Sequence, residues 1–211
     1  KAAASSSLLP SLDIEVDDFE LRGKRLGRLE VLAQAPAAAR DWKLEKLQMR
    51  SPDATLTASG RWGGADAGTG HRRTQLDWQL DIADAGKLLE RLGQGQALRG
   101  GKGQLAGEVG WDGSPLAPHY ASMAGAFNIQ LDTGTFLKAE PGVGRLLGVL
   151  SLQSLPRRLL LDFRDVFAEG FTFDGVSGDV KIAAGIARSD NIRIRGLQAA
   201  VLVEEIGRAH V

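Results

Sequence analysis

The chemically most versatile side chains in this 211-residue chain are its three histidines, His71, His119 and His210. Imidazole can ligate a metal or move a proton near neutral pH. Their spacing gives no H-x-H, H-x₃-H or H-E-x-x-H pattern, so they read as isolated surface side chains. The chain has no Cys, which excludes disulfides, thiol catalysis and thiolate metal sites together. There is no G-x-S-x-G nucleophile elbow and no Walker A loop. Gly101-Lys102-Gly103-Gln104-Leu105-Ala106 matches G-x-G-x-x-A by letter. A helical pattern precedes it and a strand pattern follows, the reverse of a dinucleotide turn, so it reads as a glycine turn.

The acidic run Asp13, Glu15, Asp17, Asp18 and Glu20 lacks the D-x-[DN]-x-[DN]-G calcium loop. Alternation with Leu12, Ile14 and Val16 makes it the wet face of a strand. Arg157 and Arg158, with Asp162, Arg164 and Asp165, form the densest charged cluster. On a helix Arg158 and Asp162 pair at i, i+4 for a few tenths of a kcal/mol, and a contact to lipid head groups is the competing reading of the two arginines. Trp42, Trp62, Trp78 and Trp111 each fall on or beside a strand, where core packing or strand-end anchoring accounts for them. No nucleophile–base pair, metal set or cofactor motif emerges, so the sequence predicts no catalytic residue, no metal and no cofactor. Lys+Arg and Asp+Glu both number 26, and that balance argues against nucleic-acid binding.

The elements that carry these residues are dominated by period-2 alternation. Leu76, Trp78, Leu80 and Ile82 alternate with Asp77, Gln79 and Asp81, the clearest strand of the chain. Similar runs pass through Leu12–Leu21, Leu29 and Val31, Trp42–Met49, Leu56–Trp62, Leu105–Trp111 and Met123–Leu131. Phase slips after Val16 and after Leu44 predict bulges. Toward the end come Phe171/Phe173, Val180/Ile182, Ile192/Ile194 and Val201/Val203, separated by Gly175, Gly178, Gly185 and Gly196. Asp84 predicts an N-cap for a short helix over 84–92, stopped by Gly93. Helical spacing also covers 141–169, opened by Pro141 and restarted near Pro156. The fold class is mainly β with a few short helices (β-rich α+β), with nine or ten strands in antiparallel order. Alternation buries one face of such a sheet. A closed barrel or two-sheet sandwich would cover that face, and a curved sheet that leaves it open is the alternative.

Lys1–Pro10 is too weakly apolar for a signal peptide, and no stretch of 18 apolar residues exists to span a membrane. The last residues, Ile206-Gly207-Arg208-Ala209-His210-Val211, equal one reading frame of a common sequencing adapter. The expectation is therefore one continuous region over 1–205, a fragment of a longer protein, followed by adapter read-through at 206–211.

Several stretches resemble a known family. Gly134-Thr135-Phe136-Leu137, Glu140-Pro141-Gly142, Gly144-Arg145-Leu146-Leu147-Gly148 and Ser151-Leu152-Gln153-Ser154-Leu155-Pro156-Arg157-Arg158-Leu159 are similar to the C-terminal region of the YhdP branch of AsmA-like proteins. So are Leu161-Asp162-Phe163-Arg164-Asp165-Val166-Phe167 and Gly170-Phe171-Thr172-Phe173-Asp174. The resemblance covers nearly the whole chain to about Val203. It implies an elongated, twisted, curved antiparallel sheet forming an open groove, placing that option above the covered core. It also implies the periplasmic part of an envelope protein of a Gram-negative bacterium, anchored in the inner membrane elsewhere in its sequence. Phospholipid acyl chains would be the ligand, passing between inner and outer membranes. Under that reading Leu76, Trp78, Leu80, Ile82, Leu105, Val109, Phe127, Ile129, Leu131, Phe171 and Phe173 would line the groove. A non-catalytic structural or assembly module of the envelope with a closed β-core is the competing function.

Overall fold

The computed structural model describes residues 9–35, 41–65, 72–94, 97–137, 170–196, 200–203 and 206–210. Ten-residue alternation starts the sheet: β1 (Leu12–Leu21) returns through a tight turn, with Arg22 and Gly23 at positive φ, into β2 (Lys24–Gln34). Then follow β3 (Trp42–Arg50), β4 (Ala54–Ala65) and β5 (Arg72–Ile82). Asp84 accepts a hydrogen bond from Lys87 N at 3.0 Å and so caps helix α1 (Ala85–Arg91), which Gly93 ends at positive φ. The chain continues through β6 (Leu98–Gly100), β7 (Gly103–Asp112), a single 3₁₀ turn (Tyr120–Ser122) and β8 (Ala124–Phe136). Next come β9 (Phe171–Ala183), β10 (Ile186–Ser189), β11 (Ile192–Arg195), β12 (Ala200–Val203) and β13 (Ile206–His210).

All of these strands pair antiparallel in one sheet that is not closed. Its main order is β1-β2-β3-β4-β5-β7-β8-β9-β10-β13, while β6 pairs β8 and β11 joins β9 to β12. The order along the sheet is nearly the order in sequence, as hairpin connections dictate. The open sheet answers the choice left by alternation: among the described residues no later strand returns to pair with β1. The expected bulges are present, with register shifts between Val16 and Phe19 and between Leu44 and Leu47.

Two expectations change. The described residues form thirteen strands where nine or ten are expected. Gly175 and Gly178, taken as separators, lie inside β9, which pairs with β8 from Gly125↔Ile182 to Phe136↔Phe171. The reason at Gly178 is close approach: a Cβ there would sit 2.8 Å from the Ile192 Cα of β11. The 206–210 segment pairs with β10 through Ile186↔His210 and Ala187↔Ala209. The helical region expected at 141–169, and with it Arg157 and Arg158, lies outside the described residues.

Candidate apolar strip

Partners across an antiparallel ladder point to the same face, so the register lists the face residue by residue. One row crosses eight strands as Leu12, Ala33, Leu44, Gly60, Leu76, Val109, Gly125 and Ile182. The next reads Ile14, Val31, Leu47, Ala58, Trp78, Gly107, Phe127 and Val180. The third reads Val16, Leu29, Met49, Leu56, Leu80, Leu105, Ile129 and Gly178. No position in the three rows is polar. In the middle of the strip Leu56, Ala58, Leu76, Trp78, Leu80, Leu105, Val109, Phe127 and Ile129 are all half-buried, touched by their neighbours in the sheet but not sealed.

With ~4.8 Å between strands, eight strands make the strip about 34 Å long. Three rows at two-residue spacing span about 14 Å. The projected area is on the order of 500 Å², within which Ala33, Leu44 and Val180 are buried.

Each long side of the strip is walled along part of its length. On one side Trp42, Trp62, Thr74 and Trp111 form a buried row. Trp42 Nε1 donates to the Pro10 carbonyl at 2.9 Å, Trp111 Nε1 to the Ser114 carbonyl at 2.9 Å and Thr74 Oγ1 to the Gly113 carbonyl at 2.8 Å. The Arg72 guanidinium lies 4.5 Å from the centre of the Trp62 ring. On the other side α1 and β6 fold over the strand ends, burying Ile82, Ala85, Leu98, Phe171 and Phe173 together. Leu88, Leu89, Leu131 and Phe136 pack against them. This wall is tied down by Arg91, whose Nε donates to Asp53 Oδ2 at 2.6 Å and whose Nη1 donates to the Arg25 carbonyl at 3.2 Å. Asp53 is itself buried.

The opposite face is polar. Arg28 bridges Glu15 and Glu30, and Lys46 reaches Glu30. The Lys46 hydrogen bond holds the Glu30 carboxyl below its ordinary range. Gln104 and Gln79 donate to Asp81, which holds that carboxyl low as well. The acidic run of β1 sits on exposed positions, as alternation implied. His119 makes only a local contact, with Nδ1 2.9 Å from Ser122 Oγ. Among the described residues no group of three or more His, Cys, Asp or Glu is placed to hold a metal, and no helix is long and apolar enough to cross a membrane.

The structure thus brings Leu76, Trp78, Leu80, Leu105, Val109, Phe127 and Ile129 onto one half-buried surface. Ile82, Phe171 and Phe173 lie within the α1 wall, with Leu131 packed against them and Phe173 with no exposed surface at all. The half of the strip contributed by β1–β4 was not assigned from sequence. Its signal was the same alternation, at Ile14, Val31, Leu47 and Ala58.

A family model described as YhdP protein matches residues 1–204. The chain belongs to the YhdP family. The intermembrane phospholipid transporter YhdP of Escherichia coli (strain K12) is 31% identical over 150 residues, covering 71% of this chain and 12% of that protein. The chain therefore spans about an eighth of the length of that curated relative. No solved structure matches. For a YhdP-family chain the strip is the surface that any functional account must explain.

Proposed function

We propose that the chain binds phospholipid by laying acyl tails along the apolar strip while the head group stays in water, and that it conducts lipid between the inner and outer membranes. The reading is non-catalytic. It places the chain in the periplasm of a Gram-negative cell, as part of an envelope protein anchored elsewhere in its sequence. The observation that carries it is the run of three cross-strand rows without a polar side chain, whose middle, from Leu56 to Ile129, is left half-buried. Family membership supports the choice of ligand, since the relative in E. coli is named an intermembrane phospholipid transporter.

The physics is that of tail desolvation. At ~0.8 kcal/mol per CH₂, exposing a tail of about 14 methylenes to water costs about 11 kcal/mol. A continuous strip avoids that cost at every point of the path, whereas a single pocket would do so at one. The competing module with a closed β-core loses its premise in a sheet that is not closed.

The test is lipid extraction from the purified chain followed by mass spectrometry, with photo-crosslinkers at strip positions. Phospholipid should co-purify, and crosslinks should form at Leu76 and Val109 but not at Gln79 on the polar face. Crosslinks of equal strength on both faces, or no bound lipid, would overturn the proposal.

A further inference from the structure

The strip is not level along its length. Trp78 on β5 and Phe127 on β8 stand in the middle row with only Gly107 of β7 between them. Their strands are two spacings apart, about 10 Å, yet their ring centroids are 5.5 Å apart and tilted by 51°. The two rings therefore lean toward each other over the glycine. Gly107 has no room for a side chain, because a Cβ would collide with the Ala126 carbonyl and lie 2.5 Å from the Phe127 Cβ. Beyond Trp78 the floor drops to Ala58 and Gly60 on β4.

From β1 to Trp78 there are four strand spacings, about 19 Å. One tail of a bilayer leaflet, half of a ~30 Å hydrocarbon core, needs about 15 Å. A single tail therefore fits on the β1–β4 side of the rings without crossing them. Resting on the lipid-binding reading above, we infer that the Trp78–Phe127 pair is a sill that closes one end of a tail berth over β1–β4. Beyond Phe127 only β9 remains, about 5 Å of strip, so a tail moves on past the sill only when the rings part, and the pair sets the rate of movement along the strip.

The two rings attract each other with a pair energy equivalent to about a three- to tenfold change in rate. The experiment loads the chain with a phosphatidylethanolamine labelled at its head group and measures loss of label to phosphatidylethanolamine/phosphatidylglycerol vesicles. Trp78→Ala and Phe127→Ala should speed release about three- to tenfold, more than any fall in the loaded amount accounts for, with Trp78→Phe close to the parent. Leu56→Ala, which removes strip contact outside the pair, should speed release less than either. If either alanine variant melts, Phe127→Leu keeps apolar volume while removing the ring, and should also release faster. Unchanged or slower release from the ring variants, or equal acceleration by Leu56→Ala, overturns the sill and leaves lipid binding standing. A parent chain that retains no lipid overturns both.

Discussion

Leu56 and Thr57 are neighbours on β4 whose side chains point to opposite faces, Leu56 paired with Leu80 on the strip and Thr57 with Gln79 on the polar side. Replacing each with Asp places the same carboxylate on each face in turn. If a tail of about 14 methylenes occupies about 15 Å, one strand spacing of ~4.8 Å carries about four of them. In the Leu56→Asp variant, a tail crossing the third row must either lift those methylenes into water or strip water from the carboxylate. Lifting costs about 3 kcal/mol, which weakens affinity about a hundredfold. Desolvating an unpaired carboxylate costs more than that, so lifting is the cheaper route and fixes the expected size. Thr57→Asp should leave affinity within about twofold, because position 57 lies on the polar face and its cross-strand partners, Gln48 and Gln79, carry no charge. The assay is equilibrium titration of a fluorescent phospholipid, with circular dichroism melts to show that both variants keep the fold. Equal weakening by the two variants would show that the chain does not bind lipid on the face argued here, and undiminished binding by Leu56→Asp would refute the strip.

Three further outcomes follow from the scaffold. Arg91→Ala should destabilise the chain by about 3 kcal/mol in urea titration, because it strands the buried Asp53 carboxylate; a loss below about 1 kcal/mol would mean that α1 is held by its apolar contacts alone. Gly107→Val should cost about 2–3 kcal/mol by overpacking against Ala126 and Phe127, read from the same titration. Asp81 and Glu30 have folded pKa values below their ordinary ones, so their contribution is complete above the unfolded pKa and is lost as pH falls through the lower folded value. Tm should accordingly stay level from pH 8 to about 5 and fall below about pH 4, and Asp81→Asn should flatten part of that fall.

Alternation located the strands because a half-buried sheet needs it, and it puts Leu76, Trp78 and Leu80 on one face before any pairing is known. The same signal reported the bulges, since a slip of one residue after Val16 or Leu44 would otherwise turn Phe19 or Leu47 to the wrong side. What alternation does not carry is cover. Ile82 and Leu80 share a strand and a face, yet one is buried and the other half-buried, because α1 and β6 fold over one end only. That difference depends on contacts such as Asp53 with Arg91, 38 residues apart, which leave no local trace. Glycine misled in a similar way at Gly175 and Gly178. A glycine ending a strand and a glycine admitting a neighbouring backbone look alike in sequence, and at Gly178 only the approach of β11 separates them.

The dimensions of the strip also bear on how it could work. A tail of about 15 Å covers less than half of a strip about 34 Å long, and lying on an open surface it is desolvated no better than in a bilayer. The strip therefore supplies a path without a direction. Net flow along such a surface must come from the head group, from a difference in lipid supply at its two ends, or from work done elsewhere. That the three rows hold no polar side chain is then a requirement of the path: a single favourable polar contact would hold lipid at one point and slow every lipid behind it.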